Sequence, residues 1–410
     1  MNTLAIVCNA WGERWALGTL AQSSSAILFE YGSEALRRGV QFSPHRHPLR
    51  AEAYVGGPSH TGGLPGFLAD ALPDGWGLLL MDRAARRAGR DPATLTPLDR
   101  LALVGDRAIG ALSFEPPQDF EGTPEDLSLL DLANKIGRVL SGRGADVLAE
   151  LMLIGGSPHG ARPKALVSLD PASGQISTAA VAPQGWEPWI IKYPGRGEHA
   201  EVCAIEEWYA RLARRCGLAV QPTRHFSLAR GVAAFGARRF DRAGALRVPV
   251  LSLAALLECD FRIPGVDVVD FLRFTRAVTL DESEVAAAFA RCVFNVLTYN
   301  RDDHAKNFSY RMDRDWRWRL APAYDLTFNT GPGGHHQLAV AGETRSPGRD
   351  HLLVAAERGG MKRAAAARTI DAMLAATDVS DADTDDLPIR KATRTTIRRA
   401  IADDRARLAP

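Results

Sequence analysis

At 410 residues the chain is long enough for two or three domains with cores of their own. A composition of 46% hydrophobic and 24% charged residues is that of an ordinary globular protein, and a net charge of +2 sets up no overall field that would draw it to DNA or a membrane. The cysteines, Cys8, Cys203, Cys216, Cys259 and Cys292, are scattered and form no Cys-x-x-Cys, which argues against a disulfide framework and a thiolate zinc site and fits a reducing cytoplasm.

The first residues, 1–10, lack a basic region followed by an apolar core, so no signal peptide is expected, and no apolar run is long enough for a membrane span. Residues 4–8 and 26–30 read as strands, and a short helix is expected at 33–38. Residues 65–72 have apolar positions at roughly helical spacing, then a turn in Leu72-Pro73-Asp74-Gly75-Trp76-Gly77. A helix follows from Leu78 into the Arg-rich stretch 83–90, and 104–112 reads as a turn into a strand. Pro116-Pro117-Gln118-Asp119 and Gly122-Thr123-Pro124 mark a boundary loop.

Helices are expected at 127–140 and 145–153, ahead of a glycine-rich loop, Gly155-Gly156-Ser157-Pro158-His159-Gly160. Its four-residue glycine gap is followed by Ala161-Arg162 and a strand at 165–169, which disfavours a P-loop. A glycine loop between two strands can instead cover phosphates with backbone N–H groups. Trp189-Ile190-Ile191-Lys192-Tyr193 reads as a buried strand ended by Pro194, and 201–216 as an amphipathic helix stopped by Gly217. From about residue 250 the chain turns mostly helical. Thr279-Leu280-Asp281-Glu282 reads as a capping box, and Val285, Phe289, Cys292, Val293 and Val296 then repeat on one helical face. Residues 308–312 and 316–320 alternate about the turn Asp313-Arg314-Asp315 and read as a hairpin, and 378–386 as an acidic linker before a basic helix at 389–407.

The last helix of the 250–300 region delivers Asp302-Asp303-His304-Ala305-Lys306-Asn307, and the hairpin is expected to bring Asn307 beside Asp325. An Asp, an Asn five residues on, and a second Asp beyond a hairpin form the layout protein kinases use for phosphoryl transfer. One carboxylate accepts the hydroxyl proton, and the other two side chains are oxygen ligands for Mg²⁺. Asp303 is the neighbouring alternative to Asp302 but lacks the five-residue spacing. The cations are nearly all Arg, with Lys only at 135, 164, 192, 306, 362 and 391, and three of these fall in the segments that look chemical. Of the acids in the 201–216 helix, Glu201, Glu206 and Glu207, Glu206 is the chosen partner for Lys192. His335-His336 reads as a solvated loop pair rather than a metal site, and the basic C-terminal helix as a solvated face.

These segments, in this order and over nearly the whole length, resemble the HipA-like serine/threonine kinases, the toxins of HipBA-type toxin–antitoxin pairs. Gly160-Ala161-Arg162-Pro163-Lys164-Ala165 is similar to the family's glycine-loop signature, Ile190-Ile191-Lys192 to its ATP-binding lysine strand, and Arg239-Phe240-Asp241-Arg242 to its adenine-contacting linker. Residues 302–309 resemble its catalytic loop and Tyr324-Asp325 its metal-binding dyad; Leu326-Thr327 follows, so the motif is not Asp-Phe-Gly. Leu72-Pro73-Asp74-Gly75-Trp76-Gly77 and 105–112 resemble its N-terminal subdomain.

The resemblance implies an α+β, bilobal protein-kinase-like fold: an N-terminal subdomain at 1–115, an α/β N-lobe core at 116–248 and a mostly helical C-lobe at 249–410. It implies ATP and Mg²⁺, with Asp302 as base, Lys306 on the transferred phosphoryl group, and Asn307 and Asp325 on the metal. ATP would be held by Gly156, Ser157, Gly160, Ala161, Lys164, Lys192, Arg239, Phe240, Asp241 and His304. Ser157 falls where the family autophosphorylates. Implied partners are a HipB-like helix-turn-helix antitoxin, DNA mainly through that antitoxin, and a protein substrate such as an aminoacyl-tRNA synthetase, with no membrane. A small-molecule or lipid kinase of the same superfamily, or a catalytically idle co-repressor, are the rival readings.

Overall fold

The computed structural model describes residues 2–23, 26–118, 127–155, 160–179 and 182–410. Gly156 and Ser157 lie outside the described residues. The chain divides into two compact units: Met1–Cys203 with Arg224–Leu251 and Ala255–Glu258, and Ala204–Thr223 with Ser252–Ala254 and Cys259–Pro410.

The first unit carries two five-stranded sheets. The first has the order Tyr54–Val55, Ile27–Tyr31, Glu13–Gln22, Thr3–Ala10, Leu112–Glu115. Its first hairpin turns at Trp11 and Gly12, with φ of 57° and 86°, so both central residues are left-handed as the twist of the flanking strands requires. Alternate strand residues point inward, and Trp15, Phe29 and Phe67 fill the core, the last two with ring centroids 5.3 Å apart. The second sheet has the order Ile176–Ser177, Lys164–Leu169, Glu187–Lys192, Ala233–Arg238, Thr223–Ser227. Ala165 and Ile191, paired across its centre, are both 0% exposed, so this face of the sheet is core.

Specific bonds tie the first 115 residues to later parts of the same unit. Gly110 N–H donates to Asp241 Oδ2 at 2.9 Å, and Trp76 N–H donates to the Gly160 carbonyl at 3.1 Å. The unit border passes through the helix Glu201–Arg215. Beyond that border, Tyr209 is fully buried and its hydroxyl donates to the Thr298 carbonyl at 2.6 Å.

The second unit is mostly helical: Val268–Thr279, Glu282–Leu297, Arg349–Arg358, Arg363–Ala376 and Lys391–Leu408. The expected capping box is corrected by two residues. Thr279 ends one helix, with its hydroxyl bonded to the Thr275 carbonyl, and Asp281 caps the next by accepting from Ser283 N–H at 2.9 Å. Val285, Phe289, Cys292, Val293 and Val296 are all buried, as their spacing predicts. The hairpin forms between Ser309–Met312 and Trp318–Leu320, antiparallel, with Tyr310 opposite Leu320.

Candidate active-site residues

In the first unit the register of the second sheet sets two cations side by side. Lys164 pairs directly with Lys192, and Lys192 pairs on its other side with Phe235. Directly opposed residues project from the same face of a sheet, with Cβ atoms about 5 Å apart. Lys164 is 4% exposed, and Lys192 Nζ lies 5.8 Å from the Phe235 ring centroid. Like charges directly opposed on one face of a sheet repel one another.

Gly160 closes the row. Its φ of 104° is a conformation that favours glycine, and a Cβ there would press on Lys164 Nζ. Asp74 Oδ1 accepts the Gly160 N–H. At Gly75, with φ of 41°, a Cβ would stand 2.6 Å from the Gly160 carbonyl oxygen and 2.7 Å from Ala161 Cα. The Asp74-Gly75-Trp76 turn therefore grips the end of the glycine loop. Sequence reading found the turn as a motif but not what it holds. Ala161 is exposed beside this turn.

Asp241 has a structural job that sequence reading missed. It is 3% exposed, and Oδ1 accepts from Arg239 Nε at 2.9 Å while Oδ2 accepts from Arg239 at 2.7 Å, Arg242 at 2.7 Å and Gly110 N–H at 2.9 Å. Burial pushes its carboxyl up, but Arg239 and Arg242 outweigh this and hold it well below the usual carboxylate range. Burial in turn lowers Arg242 to about 9. Both Asp241 oxygens and the Arg239 fork are thus engaged with one another within the segment that resembles the adenine-contacting linker. Phe240 is half-buried in the same segment.

The second unit holds the acid loop. Asn307 Nδ2 donates to the Asp302 carbonyl at 2.7 Å, closing the loop and turning Asn307 Oδ1 away from that bond. The Tyr324 hydroxyl donates to the Lys306 carbonyl at 2.6 Å and sits 2.6 Å from the Ser309 hydroxyl. That pair of bonds ties the Tyr324-Asp325 segment to the loop. Asp325 takes the left-handed φ of 56°, which Asp tolerates better than most residues and which the surrounding bonds must hold. His304 Nε2 is 3.9 Å from Asp302 Oδ1, and its ring lies 5.2 Å from that of Phe261, which Lys306 Nζ overlies at 4.7 Å. Glu206, chosen as the partner of Lys192, is 2% exposed and belongs to this second unit.

The reading of His335-His336 as a solvated pair holds for His335, which is exposed, and is corrected for His336. His336 is 2% exposed, and its Nδ1 lies 2.8 Å from Asp303 Oδ2. Asp303 Oδ1 accepts from the N–H groups of Gln337 at 2.8 Å and Leu338 at 3.2 Å. Asp303 is 4% exposed, and both of its carboxylate oxygens are in hydrogen bonds. Gln337 Nε2 donates to Asp302 Oδ1 at 2.7 Å. A gap of 33 to 35 residues left neither contact any local pattern in the sequence. Near His336, burial pushes the Asp404 carboxyl up to about 6, against the pull of Arg407, Arg301 and His336.

Among the described residues no cluster of three or more His, Cys, Asp or Glu could hold a metal by itself, and no helix is long and apolar enough to cross a membrane.

Residues 8–115 match the family model described as HipA N-terminal domain, and residues 156–380 match that described as HipA-like C-terminal domain. No curated protein matches. Among solved structures, the chain is similar to the HipA of Shewanella oneidensis MR-1, solved as a complex of HipA, HipB and operator DNA. The identity is 17%, the TM-score 0.71, and 98% of this chain and 96% of that one are covered. A second match, to the Helicobacter pylori proinflammatory kinase CtkA, has 12% identity and a TM-score of 0.38, covering 55% of this chain and 89% of that one. The fold is the α+β fold of HipA. With its C-terminal match alone spanning more than half of its length, the chain belongs to the HipA-like family.

Proposed function

We propose that this protein is an ATP- and Mg²⁺-dependent serine/threonine kinase, the toxin of a HipBA-type pair. The observation that carries the proposal is the acid loop. One turn holds Asp302 and Asn307 together, and Tyr324 ties the segment of Asp325 to it.

In this reading Asp302 accepts the proton of the attacking hydroxyl. Its Oδ1 accepts the Gln337 amide at 2.7 Å, a contact that supports a held carboxylate. The hydroxyl oxygen forms a bond to the terminal phosphorus of ATP as the bridging P–O bond breaks and ADP leaves. Lys306 offsets charge on the transferred group. Lys164 and Lys192, set opposite each other by register, hold the phosphates, with Gly160 letting the loop come close. The segment 239–241 contributes to adenine through its backbone and Phe240, because its charged side chains are engaged.

The donor set suits Mg²⁺. Asn307 Oδ1 and the Asp325 carboxylate are two hard oxygen ligands, and Mg²⁺ bound by one or two protein groups completes its octahedron with water and phosphate oxygens. When bound, Mg²⁺ supplies charge neutralisation at the phosphates.

The acceptor is a serine or threonine of a protein, an aminoacyl-tRNA synthetase being the family's example, with Ser157 as the autophosphorylation candidate. The Shewanella HipA is bound to HipB and operator DNA, which supports a HipB-like antitoxin as the partner of this chain. The test is titration of Mg·ATP into the wild type and Asp325→Ala. Binding that needs Mg²⁺ in the wild type and is lost in the variant fits the assignment; equal Mg·ATP affinity in both contradicts it.

A further inference from the structure

We infer that Gln337 is the positioning residue of the catalytic base, carried to Asp302 by a strap of residues 336–342 that is pinned at both ends. The inference rests on the function proposed above for Asp302.

One end of the strap is pinned to a helix start. Leu338–Ala339 pairs in parallel with Val266–Asp267. Asp267 caps the helix Val268–Thr279 by accepting from Val269 N–H at 2.8 Å, and the same carboxylate accepts from the strap's Ala341 N–H at 3.2 Å and Gly342 N–H at 2.8 Å. The other end is pinned to Asp303 by the His336 ring and the N–H groups of Gln337 and Leu338. His336 is itself fixed, its own N–H donating to the Thr344 carbonyl at 2.7 Å. Gln337 stands between these anchors with its backbone fixed, and its side chain reaches the neighbouring aspartate.

The chemistry suits a base. Asp302 is only half-buried, so packing alone does not select its rotamer. The amide bond donated to Oδ1 at 2.7 Å orients the carboxylate and engages one of its two oxygens. The donor is a neutral amide. An Arg or Lys here would form an ion pair and weaken the carboxylate as a proton acceptor. The adjacent aspartates thereby divide the work. Asp303 builds the strap, and Asp302 is aimed by it.

The test uses the full chain with Gln337→Ala and the isosteric Gln337→Glu, each measured for Mg·ATP affinity, turnover, and amide hydrogen exchange over residues 299–308. Gln337→Ala should lower kcat about 10- to 100-fold with ATP affinity within about twofold of wild type, because misplaced reacting groups cost rate rather than substrate binding. Gln337→Glu should be at least as slow as Gln337→Ala, since it sets a second carboxylate against Asp302. A side chain that merely filled space would give the opposite ranking, with Glu near wild type, and that result overturns the inference. Exchange over 299–308 should quicken in Gln337→Ala, and unchanged exchange also overturns it. If the wild type transfers no phosphate, the proposed function fails, and the exchange comparison alone still decides whether Gln337 holds the loop.

Discussion

Lys164 and Lys192 owe their placement to a β-ladder. Six consecutive residue pairs between Lys164–Leu169 and Glu187–Lys192 fix the register, and the two ammonium-bearing chains follow from it. Asp302 and Asp303 sit on a loop without a ladder, and their orientation comes from side-chain and strap bonds reaching across 33 to 35 residues of sequence. A cation held by strand register is insensitive to any one neighbour's side chain. A carboxylate held by single hydrogen bonds depends on each of them. Substitutions near the lysines should therefore act on ligand affinity and stability, and substitutions at Asp302 and the contacts that orient it on rate.

The largest expected effect is at the acid loop. Asp302→Gln should cut phosphoryl transfer by roughly 10²- to 10⁴-fold, the usual worth of a positioned base, and leave Mg·ATP affinity nearly unchanged. Calorimetric titration beside a transfer assay checks both, and a parallel loss of binding would merge the two regions the comparison separates.

Next in size is Asp241, which ties the first sheet to the second through Gly110. Asp241→Ala leaves Arg239 and Arg242 as buried charges without their shared carboxylate, and should cost about 3–5 kcal/mol in denaturant unfolding. A loss under about 1 kcal/mol would mean that the node is relieved by water.

Gly75→Val should cost about 1–3 kcal/mol by overpacking against the Gly160 carbonyl and weaken Mg·ATP binding, with no change in hydrogen exchange at the acid loop. Faster exchange there would show that the two regions are not independent.

The smallest effect is a pH dependence. Burial raises the Asp404 carboxyl to about 6 in the folded protein, above its unfolded value, so the folded state binds the extra proton. That contribution to stability is present at pH 4 and is lost as pH rises through 6. In Asp404→Asn the loss is absent, so unfolding measurements at pH 4 and pH 7 should show the variant gaining about 2 kcal/mol on the wild type between them. A constant difference would rule out the raised carboxyl.

Much of the fold was legible because its signals are local. The helix bearing Val285, Phe289 and Cys292, the hairpin about Asp313, and the strands carrying Lys164 and Lys192 all follow from periodicity and turn residues a few positions apart. The spacing of Asp302 and Asn307 was legible for the same reason, since their bond closes within five residues. The burial of His336 was not legible, because a histidine pair in a glycine-rich loop looks solvated until Asp303 is folded against it. The engagement of Asp241 depends on Gly110, 131 residues earlier, and the Gly160 grip depends on Asp74, 86 residues earlier. In each case the motif was visible and its partner was not.

The most direct test of the central claim is incubation of purified wild type and Asp302→Gln with Mg·ATP, with and without cell lysate, read by intact-mass and phosphopeptide mass spectrometry. The account predicts phosphate on Ser157 or on a lysate protein with the wild type only. Wild type that binds Mg·ATP yet leaves no phosphate on any protein would contradict it.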